Sequence, residues 1–250
     1  MHRNNANFSP FHRWFWLSMV VLWSTGGACA GEDLWQQGMA AYQAKDYSRA
    51  VALWTPLAES GSARAQTLLG GLYSLGLGVK KDPEKALKYY LAAAEQGVAV
   101  AQYSIAQMYA SGEGVEQSWD QAIGWFKLAA AQGDVKAQYS LGRIYASDLA
   151  GRKNYREAVD WFQRAASQGD AASQFNLGLL TLKGWGVDED AVQALHYFRV
   201  SAENGYPDAM KIMRDAYAKG WFGLPRDAQK STYWQAQLDR ISEKNNTKNK

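Results

Sequence analysis

At 250 residues the chain is long enough for one large domain or a repeat array. Apolar residues make up 47% and charged residues 20%, the balance of an ordinary soluble protein. The formal charge is only +3, and Arg3 and Arg13 fall in a leader-like segment, leaving 25 cations against 24 acids in the rest. That balance excludes the strongly basic surface that nucleic acid requires. One cysteine, Cys29, excludes an internal disulfide and a cysteine metal site.

The N-terminus has the order of an export signal. His2, Arg3, His12 and Arg13 form a basic front, and Trp14 to Trp23 is an apolar run. Small residues follow and end in Ala28-Cys29-Ala30, an A-x-A cleavage pattern before the acidic Gly31-Glu32-Asp33. The apolar run is short of the roughly 20 residues that a membrane span needs. Residues 1–30 are therefore expected to be a signal peptide and the mature protein periplasmic or secreted. The alternative is a lipid-anchored Cys29, the one route by which this chain would meet a membrane. Gly26-Gly27-Ala28 fits that poorly, because a Leu-like residue is usual three positions before a lipidated cysteine.

From Ser62 to Gly205 one pattern returns every 36 residues without gaps. Gln66, Gln102, Gln138 and Gln174 form one column, Ala94, Ala130, Ala166 and Ala202 another, and Gly97, Gly133, Gly169 and Gly205 close each row. Self-similarity at this period marks a helical repeat array. The units run over about 34–61, 62–97, 98–133, 134–169, 170–205 and 206–241, within a repeat domain of 31–241. Residues 242–250, SEKNNTKNK, form a polar tail expected to be disordered. The first unit is shorter in its turn and is expected to cap the array. The last is degenerate, with an extra residue in its turn and Ser231 in place of the usual Ala.

Each unit shows helical periodicity twice. Ala65, Leu69, Leu72 and Tyr73 share one helix face, and Ala86, Tyr89, Tyr90, Ala93 and Ala94 share another. Short polar residues stand before each second helix: Asp46, Asp82, Ser118, Asn154, Asp190 and Asp227. They suit the N-cap position, where a side-chain oxygen accepts from the exposed N–H groups of the first turn. Gln121, Glu157 and Gln193 stand three positions later, the spacing of a capping box. Small residues at Gly70, Ala106, Gly142 and Gly178 on the first helix have large rings beside them, Tyr73, Tyr109 and Tyr145 and the pairs Trp125-Phe126, Trp161-Phe162 and Tyr197-Phe198, so that large and small groups interdigitate.

The pattern A-Q-Y-x-L-G-x-x-Y-x-x-G-x-G-V, then D-x-x-K-A-x-x-W-[FY]-x-x-A-A-x-x-G, resembles Sel-1-like repeats, relatives of the tetratricopeptide repeat. It stands here as Ala137-Gln138-Tyr139-Ser140-Leu141-Gly142, as Asp82-Pro83-Glu84-Lys85-Ala86, and as Gly76-Leu77-Gly78-Val79. The turn at Asp148 to Lys153 departs by lacking the double glycine. The resemblance implies an all-α fold, an α-solenoid built as a right-handed superhelix of about six helix-turn-helix units. It also implies a role in holding other proteins together.

No catalytic constellation is evident, and no enzyme activity or cofactor is expected. His196, the one histidine beyond the leader, sits beside Tyr197 on a second helix and has no acid–base partner in the pattern. No His/Cys/Asp cluster has metal-ligand spacing. Gly-x-Gly-Val lacks the strand and longer glycine spacing of a phosphate loop. Asp188, Glu189 and Asp190 read as a capped turn rather than a glycosidase pair.

Solenoids bind along the concave face lined by their first helices. Tyr103, Tyr139 and Phe175 fall there once per unit, as packing rings or as contacts. The neighbouring column Gln107, Arg143, Leu179 and Asp215 changes charge and size from unit to unit, as a specific surface would. The turn tips Leu77, Leu149, Trp185 and Trp221, with Phe222, form either an apolar patch or tips folded onto the next turn. The reading is an exported scaffold that binds a partner protein or peptide in the bacterial cell envelope, with no nucleic acid. The alternatives are a carbohydrate or peptidoglycan module using the rings, and a cell-wall hydrolase. Ala130→Leu should overpack the small column and cost about 1–3 kcal/mol, read from the denaturant midpoint.

Overall fold

The computed structural model describes residues 31–248, and the side chains of 31–244. The leader, with Cys29, lies outside the described residues. Where the 3.6-residue period of apolar groups runs, a helix forms. Helix α1 covers 31–43. It is followed by α2 (Tyr47–Glu59), α3 (Ala63–Leu75), α4 (Pro83–Glu95), α5 (Ala99–Ser111), α6 (Trp119–Ala131) and α7 (Val135–Ala146). Next come α8 (Tyr155–Ser167), α9 (Ala171–Lys183), α10 (Ala191–Glu203), α11 (Pro207–Lys219), a 3-10 turn at Trp221–Gly223, and α12 (Ala228–Lys248). There is no strand among the described residues. Consecutive helices pack as hairpins, the architecture of an α-solenoid. Contacts divide the chain into a first region, 31–101 with 113–115, and a second region, 102–112 with 116–248.

The six cap residues all act as caps. Asp46, Asp82, Ser118, Asn154, Asp190 and Asp227 accept from backbone N–H groups in the first turn of α2, α4, α6, α8, α10 and α12. The capping box is only half present. The cap's own N–H, which the box would give to the side chain three residues on, is already donated to the preceding helix. Asp82, Ser118, Asn154 and Asp190 donate at 2.9, 2.9, 2.8 and 3.1 Å to the carbonyls of Tyr73, Tyr109, Tyr145 and Thr181. This bond fixes the path from first to second helix. It leaves Gln121 and Gln193 no donor to satisfy at that position. At the far end of each hairpin a left-handed glycine turns the chain, as at Gly133 (φ 87°), whose N–H donates to Ala130 O at 3.0 Å.

In the first region Trp54 is fully buried, stacked on Trp35 at 5.4 Å, and it covers Gly38 so closely that no Cβ fits there. Ala50, Ala58, Ala65, Leu69 and Leu72 complete this core. The turn after α5 belongs to the same region. A Cβ on Gly114 would stand 2.7 Å from the Pro83 carbonyl carbon, and Lys81 pairs with Glu113 at 2.7 Å.

The second region repeats one contact. Phe162 lies on Gly142 and Phe198 on Gly178, each ring of a second helix seated where a first helix lacks a side chain. Its last core joins Leu195, Phe198, Met210, Met213 and Tyr217 to Trp234 of α12, with Leu238 and Ile241 beside them. Residues 242–248, expected to be disordered, continue α12. Low hydrophobicity rules out a packed core there but not helix, because Glu243 and Lys244 have good propensity and extend a helix already anchored by Trp234.

The glycine seat yields a paired expectation. In Gly142→Ala the added Cβ would come within 2.6 Å of the Phe162 ring, so a loss of about 1–3 kcal/mol is expected from denaturant unfolding. In α6, Gly124 has nothing within 4 Å of an added Cβ. Gly124→Ala should stabilise by about 0.5–1 kcal/mol. Equal effects of the two would show that the ring seat is not what constrains Gly142.

Candidate partner-binding face

The first helices of the second region, α5, α7, α9 and α11, carry the columns expected to bind. Tyr103, Tyr139 and Phe175 are half-buried. Each ring leans on the ring that its own hairpin supplies: Tyr103 on Phe126 (5.6 Å), Tyr139 on Phe162 (6.0 Å), Phe175 on Phe198 (5.6 Å). The tilts of 50–56° lie between stacked and edge-on packing, at centroid distances where aromatic pairs attract. These rings are thus a floor that the hairpin holds in place.

The neighbouring column stands above that floor. Gln107 and Arg143 are exposed and Leu179 is 37% exposed. Gln107 Nε2 donates to the Tyr103 hydroxyl at 2.9 Å, so its amide is held along α5. The Arg143 guanidinium lies 5.8 Å from the centre of the Tyr139 ring. Asp215, the fourth member, is committed within α11: it accepts from Arg214 at 2.8 Å and lies 3.8 Å from Lys219. The hydrogen bond from Arg214 holds its carboxyl below the usual range.

Tyr206 joins the rings that the column pattern had marked separately. It lies 5.1 Å from Phe175, within electrostatic reach of Tyr139 and Arg143. Burial pushes its phenol up, and Tyr139, Asp208 and Asp170 add to that while Arg143 opposes it. Burial also raises the Tyr103 phenol, with the Ser140 hydroxyl and Arg143 opposing and Asp134 adding. Arg143 therefore acts electrostatically on a residue of α5 and on the N-cap of α11. Tyr206 escaped the sequence reading because it occupies the cap column, where Asp134 and Asp170 accept backbone hydrogens. It makes no side-chain cap bond itself. The signal was there: Tyr206-Pro207 stands where the two preceding units have Asp134 and Asp170.

The turn residues are not part of this cluster. Trp185 stacks on Tyr155 of α8 at 4.9 Å and 18°, with Lys153 over the Tyr155 ring, though the indole stays largely exposed. Trp221 stays exposed under the Lys219 ammonium, 4.6 Å from its ring. Phe222 folds inward to 6.0 Å from Phe198, and Leu77 packs on the first region's core. Leu149 stays exposed in the turn without double glycine, where Arg152 instead pairs with Asp120 of α6. The tips thus take several different environments.

His196 is exposed on α10, 6.1 Å from Tyr197, beside a shallow groove of about 250 Å³ that also touches Gln163, Gln174 and Leu177. No group of three His, Cys, Asp or Glu among the described residues is placed to hold a metal ion. No helix among them is long and apolar enough to cross a membrane.

The hairpins, their glycine seats and the ring floor with its variable upper column define an α-helical repeat protein of the solenoid class. Within that class the chain belongs to the Sel1-repeat family. The Sel1 repeat model matches 37–62, 63–98, 99–134, 135–170, 171–206 and 213–234. The fold commonly serves as a protein-interaction scaffold. A Sel1 repeat protein from Oxalobacter formigenes is similar at 35% identity and TM-score 0.74, covering 84% of this chain and 83% of that one. A protective antigen of uropathogenic Escherichia coli, c5321, is similar at 25% identity and TM-score 0.64, over 84% of this chain and 54% of that one. The immunity protein Pa5087 from Pseudomonas aeruginosa, at 24% identity and TM-score 0.52 over 82% of each chain, shares the fold. No curated protein matches.

The raised phenols set a pH dependence. Tyr103 and Tyr206 favour the neutral form when folded. Their contribution is complete below the unfolded tyrosine value of about 10 and is lost as pH rises through the higher folded values. Denaturant unfolding below and above about pH 10 should therefore show a smaller loss in Tyr103→Phe/Tyr206→Phe than in the unaltered chain. An equal loss would place the alkaline sensitivity elsewhere.

Proposed function

We propose that this protein is an exported, non-catalytic scaffold of the bacterial cell envelope, binding a partner protein or peptide on the first-helix face of residues 102–248. One observation carries the reading. The rings of this face are engaged by Phe126, Phe162 and Phe198, while Gln107, Arg143 and Leu179 stand above them facing outward. A rigid aromatic floor under chemically varied, exposed side chains suits the recognition of one chain by another. The sugar-binding alternative draws less support, because stacking on a glycan needs free ring faces, and these rings lean on their neighbours. Export rests on the basic front, apolar run and A-x-A pattern of residues 1–30.

A photo-crosslinking residue at Leu179 should give a discrete adduct with an envelope protein. The same residue at Leu128, exposed on second helix α6, should not. Equal labelling at both positions would remove the face from consideration. The mature protein recovered from the envelope should begin at Gly31, and a chain retaining its apolar run would argue against cleavage.

A further inference from the structure

We propose that the face centred on Arg143 selects an extended peptide carrying an Asp or Glu about three residues from an apolar side chain. The inference rests on the peptide-binding reading above and gives that peptide its chemistry.

The charge pattern comes first. Helices α5, α7 and α9 contain three cations, Lys136, Arg143 and Lys183, and no Asp or Glu. None of the three forms an ion pair among the described residues. Helix α11 is different: Lys211 pairs with Asp208, and Arg214 and Lys219 pair with Asp215. The unmatched charge is thus confined to α7 and α9. The acids that border the same layer are the caps Asp134 and Asp170 and, in the turns after α7 and α9, Asp148, Asp188, Glu189 and Asp190, and none of these turn acids pairs with Arg143 or Lys183. Asp134 and Asp170 are engaged elsewhere. Each accepts from a backbone N–H, of Ala137 and Ser173 at 2.7 Å, and each stands at the opposite end of its helix from Arg143 and Lys183. Arg143 and Lys183 sit in last turns, where the helix carbonyls favour a cation. That explains why the positions tolerate charge, but it supplies no carboxylate.

Placement comes next. Arg143 is not a free-swinging surface cation. It lies over Tyr139, and its charge is felt by the phenols of Tyr103 and Tyr206. A guanidinium over a ring keeps its donor edge for a carboxylate, and Arg makes that bond in bidentate form. One repeat further along the same column stands Leu179, exposed, on α9, which touches α7. Neighbouring helices lie about 8–10 Å apart. An extended chain rises about 3.3 Å per residue, so roughly three residues carry it from Arg143 to Leu179.

The test uses the full chain and an immobilised array of random-sequence peptides made in paired versions, with Asp and Glu or with Asn and Gln. The acidic version of each binding pair should be favoured by about tenfold, a preference that weakens with added salt. Arg143→Gln should abolish the preference with an unchanged melting temperature, and Arg143→Lys should retain part of it. Equal binding of paired versions, or a preference that survives Arg143→Gln, would overturn the acid selection while leaving peptide binding intact. Should Arg143→Gln melt early, the paired comparison on the unaltered chain still decides the preference. If no peptide binds in a way that Leu179→Asp weakens, the peptide-binding reading itself fails.

Discussion

The structure depends on one buried amide in each of its four 36-residue repeats. Gln138 is inside the stack, yet both ends of its side chain are matched. Its Nε2 donates to Ala130 O at 3.1 Å, at the end of the preceding hairpin, and its Oε1 accepts from Gln168 at 2.8 Å, at the end of its own. Gln66 does the same with Ala58 O and Gln96, and Gln174 with Ala166 O and Asn204. A buried amide left unmatched costs about 1–3 kcal/mol, so each of these residues penalises any sliding of one hairpin along the next. Apolar packing alone is less demanding of register. The Ala columns and glycine seats permit close approach, and the glutamines decide where along the helix the approach occurs.

That division of labour explains how the outer face can vary. Phe162 on Gly142 and Phe198 on Gly178 fix their hairpins internally, and Gln66, Gln138 and Gln174 fix theirs on the preceding ones. Neither device uses the residue at the position of Gln107, Arg143 and Leu179. Those side chains can differ in charge and size without disturbing the stack, and the ring floor beneath gives them a firm base. On the proposed reading, specificity would be carried by positions the fold does not need.

Much of the fold was legible because repetition multiplies weak signals. One Asp before an apolar run says little, but Asp46, Asp82, Ser118, Asn154, Asp190 and Asp227 in register place six helix starts, and the caps form there. The failures have physical causes. The capping box was inferred from spacing, but the cap N–H is claimed by a carbonyl nine or ten residues earlier, as at Asn154 and Tyr145, a tertiary demand no local pattern reveals. The extension of α12 through residues 242–248 reflects propensity acting on an anchored helix. The glutamine column was visible as a column, but its bonding was not, because its partners lie 8 residues before and 30 after. The face was half legible. Its columns follow from the period, whereas Tyr206 enters because the chain breaks its own pattern there.

The amide ladder also bears on how such a chain can change length. The rungs share one form, a buried glutamine closed by a side-chain amide, Gln96, Gln168 or Asn204, so little in it distinguishes one hairpin from another. Excising 36 residues would bring a glutamine opposite an equivalent carbonyl, and duplicating 36 would add a rung of the same kind. Tyr206 is not interchangeable in this way, because its place between Phe175 and α11 exists once. The ladder is compatible with adding or removing hairpins in steps of 36 residues, whereas Tyr206 and its contact with Phe175 stay tied to the last hairpin.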